Sequence, residues 1–146
     1  MLDRRNFYIN GKWVKPFQQN DFEVINPSNE ETCAVISLGN EEDVNLAVKA
    51  ANESIPRWSR VEKKYKISLI EKLYKIYESR WNEMAESISM EMGAPLSLSK
   101  AAQAATGLGH FAQAIEILQG FEWEETKGKT VLRKEPIGVV GMITPW

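Results

Sequence analysis

The chain has 146 residues, 43% of them hydrophobic and 26% charged, an ordinary composition for one soluble globular domain. Its formal net charge of −2 favours neither nucleic acid nor an anionic membrane as a partner, and no stretch approaches the roughly 20 apolar residues of a membrane span. Arg4 and Arg5 are not followed by the apolar core of a signal peptide, and a single cysteine fits a reducing compartment, so we expect a cytoplasmic protein.

Two pairs of short β-strands are predicted near the amino terminus. Phe7–Val14 holds Asn10-Gly11 between two β-prone runs, and because both of these residues tolerate positive φ a hairpin is expected. The second pair, 22–25 and 32–37, is separated by the turn residues 26–29. The aromatic and β-branched side chains of these strands are expected to cover one side of a larger body.

Amphipathic helices are predicted to follow the strands. Asn40 is the expected N-cap of the first helix, which should end at Pro56. Residues 59–62 have the pattern of a capping box and predict the start of a long second helix. That helix should stop at Gly93, and a short break is possible near 80–82.

The third predicted helix has Pro95 in its first turn and ends at Gly120. Its small residues would allow another element to approach closely; they are Ala101, Ala102, Ala104, Ala105, Gly107 and Gly109. Residues 121–134 then alternate apolar and charged side chains, which predicts an extended arm or a loose hairpin with one face in water.

The last segment differs from all the others because Ile137–Ile143 contains only apolar residues and glycine. A run without polar alternation is typical of a strand that is buried on both faces, as in a parallel sheet. No other segment could supply its parallel neighbours. We therefore expect the 146 residues of the chain to be the front portion of a larger α/β protein.

Several residues outside that segment invite a functional interpretation. Cys33 and His110 are the only residues of their kinds, but neither has a catalytic or metal-binding partner nearby in the sequence, so structural roles are expected. The acidic cluster alternates with apolar residues and predicts a solvated strand face rather than a metal site; it consists of Glu122, Glu124 and Glu125. Gly138 and Gly141 lie inside the predicted strand and do not form a dinucleotide fingerprint, so close packing of a helix is their expected role.

Four segments resemble the amino-terminal part of the aldehyde dehydrogenase superfamily, in the same order along the chain. They are the hairpin YINGKWV, the stretch VINPSNEE leading to GNEEDVNLAVKAA, the segment SMEMGAPLS, and the final KEPIGVVGMITPW. The last is the most specific, since the first cofactor-domain strand of the family reads similarly and is followed by asparagine. The resemblance covers nearly the whole chain.

The resemblance implies an α/β fold that is incomplete in this chain: the N-terminal part of an aldehyde dehydrogenase-like fold. It would comprise peripheral β-hairpins, three amphipathic helices and the first strand of a parallel, Rossmann-like dinucleotide-binding sheet. Residues 1–120 would be hairpins and helices of the cofactor-binding domain, and residues 121–134 the oligomerisation arm. Residues 135–146 would be the first strand of the sheet. The arm would join the subunits of a homodimer or homotetramer.

The resemblance also implies an oxidoreductase that converts an aldehyde to a carboxylic acid, or to an activated acyl group, with NAD or NADP. In the family a cysteine thiolate attacks the carbonyl, hydride passes to nicotinamide, and a glutamate-activated water hydrolyses the thioester. These groups and the oxyanion-binding asparagine would follow Trp146, so no catalytic residue is expected in this chain. The residues that match the nicotinamide and ribose side of the cofactor site are Ile143, Thr144, Pro145 and Trp146.

A second interpretation is a truncated, non-catalytic assembly module that uses residues 121–134 to join a full-length dehydrogenase subunit. The half-finished sheet argues against this module, because unpaired apolar edges invite aggregation. Within the first interpretation, semialdehyde and betaine-aldehyde substrates both stay open. The choice between NAD and NADP also stays open, because the discriminating residue follows a later strand of such a sheet.

Overall fold

A computed structural model describes residues 1–144 of the chain, which form two compact units. The first unit contains residues 1–4, 21–36 and 62–121, and the second contains residues 5–20, 37–61 and those from Glu122 onward. The strands are β1 (Leu2–Arg4), β2 (Phe7–Ile9), β3 (Lys12–Val14), β4 (Asp21–Asn26), β5 (Glu31–Ser37), β6 (Glu124–Lys127) and β7 (Thr130–Arg133). The helices are α1 (Glu41–Trp58), α2 (Lys63–Ser79), α3 (Trp81–Met92), α4 (Leu96–Leu98) and α5 (Ala104–Gly120), with a π-helical turn at Ser99–Gln103 between α4 and α5.

The sheet of the first unit has the strand order β1-β5-β4. The predicted turn between β4 and β5 is confirmed: the amide of Ser28 donates to Asn26 Oδ1 at 2.9 Å, and the amide of Glu30 donates to the Asn26 carbonyl at 2.8 Å. Strand β1 was not predicted. It pairs in parallel with β5, with Leu2 opposite Ala34, and a three-residue exposed strand carries no hydrophobic pattern that would reveal it.

The start of the second helix was predicted too early. Helix α2 begins at Lys63, and Glu62 at its N-cap makes no side-chain cap hydrogen bond. Ser59 does not cap this helix because it still belongs to the end of α1: its amide donates to the Ile55 carbonyl at 2.9 Å and its hydroxyl to the Pro56 carbonyl at 3.4 Å. The residues that matched a capping box therefore terminate one helix instead of starting the next.

Two predicted interruptions between the helices are confirmed. Arg80, with φ −105°, separates α2 from α3. Gly93 ends α3 in the left-handed conformation, with φ +70°. Glycine is also required there by packing, because a Cβ at Gly93 would lie 2.9 Å from Cγ of Pro27. This position thus combines a helix stop with a close contact to the β4–β5 turn.

The third predicted helix is one helical stretch, Leu96–Gly120, interrupted by the π-helical turn. Pro95 directly precedes it, and Gly120 is its last residue as predicted. In the π-helical turn, the hydroxyl of Ser99, which is fully buried, donates to Gln103 Oε1 at 2.9 Å. The side-chain Nε2 of Gln103 in turn donates to Met92 Sδ at 3.5 Å, which ties this turn to the end of α3.

Helices α2 and α5 pack as an antiparallel pair that is held by a polar contact at each end. At one end Lys63 Nζ donates to the carbonyls of Gln119 and Phe121, at 3.2 and 3.0 Å. A cation at that place also interacts favourably with the carboxyl end of the α5 dipole. At the other end the hydroxyl of Tyr77 donates to the Ala104 carbonyl at 3.0 Å.

The contact of Tyr77 depends on a glycine. A Cβ built on Gly107 would lie 2.5 Å from the Tyr77 hydroxyl oxygen and 2.6 Å from its Cζ, so only glycine leaves room for the ring. The ring also packs against Phe111, with 5.7 Å between centroids and 64° between planes. Burial raises the pKa of Tyr77, which keeps its hydroxyl protonated as a donor. The predicted close approach to the small residues of this helix is thus confirmed at Gly107.

In the second unit, the predicted hairpin is confirmed as β2 and β3. Asn10 and Gly11 have φ of +51° and +76°, the two positive values that a type I′ turn requires. Tyr8 pairs with Trp13 across the strands, and their ring centroids lie 5.2 Å apart. The two turn residues therefore fix the pairing register of β2 and β3, and both residues can be identified in the sequence.

Helix α1 begins with the predicted cap. Asn40 Oδ1 accepts from the amide of Asp43 at 3.2 Å, and Asp43 Oδ2 accepts from the amide of Asn40 at 3.1 Å. Asp43 is buried, and its Oδ1 also accepts from the amide of Phe17 at 2.8 Å. Pro56 does not end this helix as predicted. The helix continues to Trp58, because a proline in the last turn removes only one helical hydrogen bond.

Strands β6 and β7 form an antiparallel hairpin around Gly128, whose φ is +63°. Its base is closed by Lys134, whose amide donates to the Trp123 carbonyl at 2.8 Å and whose Nζ donates to the Glu122 carbonyl at 3.0 Å. The predicted loose hairpin is confirmed in residues 122–134. All residues of both strands are exposed, however, whereas only one wet face was expected.

The predicted strand Ile137–Ile143 is not formed in the described structure. Residues 134–144 carry no strand assignment and are exposed, Ile137 to 94%. The prediction that this segment is a strand buried on both faces in a larger α/β protein stays a prediction, because its neighbouring strands were expected outside this chain. A strand is held by hydrogen bonds to neighbouring strands, and residues 1–144 supply none for this segment.

Candidate functional site

The residues predicted to contact the cofactor lie at the end of the described chain. Ile143 is 97% exposed and Thr144 is also exposed, so the structure does not bring them together with any other element. Pro145 and Trp146 lie outside the described residues. The assignment of these four residues to a cofactor site therefore stays a prediction.

The two glycines of this segment have no close neighbours. Nothing lies within 4 Å of a Cβ built on Gly138 or Gly141, so no helix packs on them here. Gly138 has φ +126°, a conformation that residues with side chains rarely adopt. Its backbone would have to change for the segment to form a regular strand.

Cys33 lies on β5 and is half-buried. Its Sγ donates a hydrogen bond to the carbonyl of Val24 on the neighbouring strand, at 3.3 Å. Neither a histidine nor a cation is placed to activate the thiol among the contacts of residues 1–144. The structure thus gives Cys33 the environment of a small packing residue on a sheet.

His110 is exposed on α5 and lines a shallow depression formed by that helix alone. Thr106, Gln113 and Glu116 share this face. No group of three or more histidine, cysteine, aspartate or glutamate side chains that could hold a metal ion occurs within residues 1–144. The arrangement around His110 provides neither a nucleophile nor a metal ligand set.

The acidic side chains of the hairpin are engaged in ion pairs. Glu124 Oε1 accepts from Arg133 Nε across the strands at 2.7 Å. Glu125 Oε1 lies 3.3 Å from Lys127 Nζ on its own strand. Glu124 and Glu125 are neighbours on β6 and therefore lie on opposite faces of the hairpin, so the carboxylates are solvated on both faces and not on one face only.

The family of the chain is decided by its match to known sequences. The sequence model described as the aldehyde dehydrogenase family matches residues 13–146.

The chain belongs to the aldehyde dehydrogenase family.

Individual relatives and structures agree with this assignment. The chain is 47% identical, over its whole length, to 3-succinoylsemialdehyde-pyridine dehydrogenase of a Pseudomonas species. The crystal structure of an aldehyde dehydrogenase from Bartonella henselae is similar over 91% of the chain, with a TM-score of 0.88 and 41% identity. A mutant of aldehyde dehydrogenase C from Pseudomonas syringae, in complex with NAD+ and octanal, is similar over 91% of the chain, with a TM-score of 0.89 and 32% identity.

The chain spans only part of these aldehyde dehydrogenases. It covers 31% of the length of the Pseudomonas relative, and 29% and 27% of the two crystallised chains. The expected fold is confirmed: the chain has the mixed α/β structure of the amino-terminal portion of an aldehyde dehydrogenase. Within residues 1–144, no helix has both the length and the apolar character needed to cross a membrane.

Proposed function

We propose that the protein to which this chain belongs is an NAD(P)-dependent aldehyde dehydrogenase that oxidises an aldehyde to a carboxylic acid through a cysteine thioester. The observation that carries the proposal is the family match over residues 13–146. A relative with 47% identity is named as a semialdehyde dehydrogenase, and a similar crystal structure holds NAD+ together with an aldehyde. The NAD+ in that structure favours a nicotinamide cofactor, and the single cysteine is the reason to expect a cytoplasmic enzyme.

The contribution of this chain to the cofactor site would come from its last four residues. Pro145 would fix the backbone beyond the strand, while Ile143 and Trp146 would supply apolar walls on the nicotinamide side. The exposure of Ile143 is consistent with a side chain that has its partners outside residues 1–144. Ligands of open α/β sheets bind beyond the carboxyl ends of the strands, which is the place of these residues in the predicted strand.

The hairpin β6–β7 would be the arm that joins subunits of a homodimer or homotetramer. It lies directly after α5, in the position of the predicted oligomerisation arm. Two of its apolar side chains are exposed, Val131 to 57% and Leu132 to 46%. Because these two residues are neighbours on β7, each face of the ribbon exposes one apolar side chain. This exposure supports a role in association, since a two-stranded ribbon has no core of its own.

The cofactor role can be tested with Trp146→Ala in the full-length protein. Loss of a large apolar wall should cost about 1.5–3 kcal/mol of binding, which corresponds to an increase of roughly tenfold to a hundredfold in the KM for the cofactor. Steady-state kinetics with NAD and NADP at saturating aldehyde measure this change. Trp13→Ala, at an exposed tryptophan of the β2–β3 hairpin, is the control and should leave the KM unchanged. An unaltered cofactor KM in Trp146→Ala would refute the assignment.

The chain by itself is expected to be inactive, because its only cysteine lies on β5 and is hydrogen-bonded to a backbone carbonyl. We expect no aldehyde-dependent formation of NADH by the purified 146-residue chain, whereas the full-length protein forms NADH under the same conditions. Circular dichroism checks that the chain is folded in the assay. Activity of the chain alone that disappears in Cys33→Ser would contradict this expectation and make Cys33 the nucleophile.

A further inference from the structure

A cleft of about 300 Å³ lies in the first unit beside α2, α3 and α5. Its apolar lining comes from Leu73 and Ile76 on α2, Met84 on α3 and Phe111 on α5. Leu73 and Ile76 are 50% and 54% exposed, so this lining is open to solvent in the described chain. A volume of about 300 Å³ is at the lower end of the range for sites that bind small organic molecules.

One side of the cleft is positively charged. It is lined by Arg4 at the end of β1, by Arg80 between α2 and α3, and by Glu83 and Ser87 on α3. Arg80 donates from Nε and Nη2 to Glu83 Oε2, at 3.0 and 2.8 Å. This hydrogen bond, together with the opposite charge, lowers the pKa of the Glu83 carboxyl and raises that of Arg80, so the pair stays ionised and neutralises itself.

Arg4 differs from Arg80 because no side-chain hydrogen bond or ion pair engages its guanidinium within residues 1–144. The two arginines and one glutamate leave a net charge of one positive unit in the cleft. Ser87 adds a hydroxyl donor to the lining of the cleft. The hydroxyl of Tyr77, although it also lines the cleft, is already committed to the carbonyl of Ala104.

We propose that this cleft binds a small amphiphilic monocarboxylate, with its carboxylate on Arg4 and its apolar tail on Met84 and Phe111. The planar fork of a guanidinium matches a carboxylate, and a single negative charge balances the net charge of the cleft. A phenyl ring or a short alkyl chain fits the apolar lining, where the Met84 thioether gains from contact with an aromatic ring. None of the residues that line the cleft is among the proposed cofactor residues, and the proposal does not depend on the proposed function.

The experiment is an equilibrium titration of the full-length protein with 4-phenylbutyrate, in the absence of aldehyde and cofactor. The protein carries ¹³C-labelled methionine methyl groups, and Met84→Leu assigns the Met84 signal. We expect this signal to shift saturably, while the signal of Met142, an exposed residue, stays in place. In Arg4→Gln the dissociation constant should rise about threefold to fivefold, the size expected for one solvent-accessible ion pair.

Two controls separate charge recognition from other binding. Arg60→Gln removes an exposed arginine outside the cleft and should leave the dissociation constant unchanged. The neutral amide 4-phenylbutyramide should bind at least threefold more weakly than the carboxylate. The proposal is overturned if the Met84 signal does not shift, which would mean that the cleft is filled by another part of the protein. It is also overturned if Arg4→Gln binds 4-phenylbutyrate as tightly as the unaltered protein does. The same holds if the unaltered protein binds the amide as tightly as the carboxylate. Because the readout is binding, a failure here is distinct from a failure of the dehydrogenase assignment.

Discussion

Gly107→Ala is expected to lower the free energy of unfolding by about 1–3 kcal/mol, the usual cost of overpacking a tight contact. The new methyl group would lie within 2.6 Å of two atoms of Tyr77, so the ring must move away. Its hydrogen bond to the Ala104 carbonyl and its contact with Phe111 would then be weakened. Urea unfolding of the full-length protein, followed by tyrosine fluorescence and circular dichroism, measures the change.

The matched control is Gly109→Ala, two residues further along the same helix. Nothing lies within 4 Å of a Cβ at Gly109, and alanine is favoured over glycine in a helix by about 1 kcal/mol. Gly109→Ala should therefore stabilise the protein, opposite in sign to Gly107→Ala. Combining Gly107→Ala with Tyr77→Leu should recover part of the loss, because the two sites are in contact. Equal effects of the two glycine substitutions would show that the Tyr77 contact is not decisive.

Asp43→Ala is expected to destabilise the protein by about 2–3 kcal/mol. The carboxylate accepts from the amides of Asn40 and Phe17, and the side chain is only 5% exposed. Its removal breaks the capping box of α1 and leaves two partly buried amides without their acceptor, each at a cost of about 1–3 kcal/mol in the worst case. Amide hydrogen exchange should show faster exchange at both of these residues.

Two variants at the start of α1 test whether the hydrogen bonds are responsible. Glu42→Ala removes a neighbouring exposed carboxylate of the first turn and should cost no more than about 1 kcal/mol, the size of a helix-dipole interaction. Asp43→Asn keeps one acceptor oxygen and should fall between Glu42→Ala and Asp43→Ala. If Glu42→Ala were as harmful as Asp43→Ala, general loss of negative charge at the helix start would explain both, and the role of the two amides would be rejected.

Glycine positions show how far local chemistry carries a prediction. Gly93 was predicted to end α3 because only a residue without a side chain adopts the left-handed conformation easily, and its φ of +70° agrees. Its close contact with Pro27, by contrast, joins residues 66 positions apart and has no signature in the sequence. The same holds for Gly107, where the sequence indicated close packing but not that Tyr77 would be the partner.

The final apolar segment shows the opposite case, in which pattern and structure disagree within this chain. Seven consecutive apolar or glycine residues predict a buried strand, yet Ile137–Ile143 is unpaired and exposed. An apolar sequence indicates that a segment is stable only when other strands and helices pack against it. The segment is buried only if those strands and helices are present. The candidate cofactor residues depend on the same condition, which is why residues 1–144 do not assemble a cofactor site around them.

Interactions within a few residues could be derived from the amino-acid order of this protein: the positive φ values of the Asn10-Gly11 turn, the Asn40 cap and the stop at Gly93. The family could also be recognised, because its motifs are short and lie in a fixed order. Three-dimensional packing decided the parallel pairing of β1 with β5, the Tyr77–Ala104 and Lys63–Gln119 contacts that hold α2 to α5, and the charged cleft beside Arg4. The physical reason is the separation of the partners in the chain: Tyr77 and Ala104 are 27 positions apart, and Lys63 and Gln119 are 56 positions apart. Over such separations no helical or strand period and no turn rule links one partner to the other.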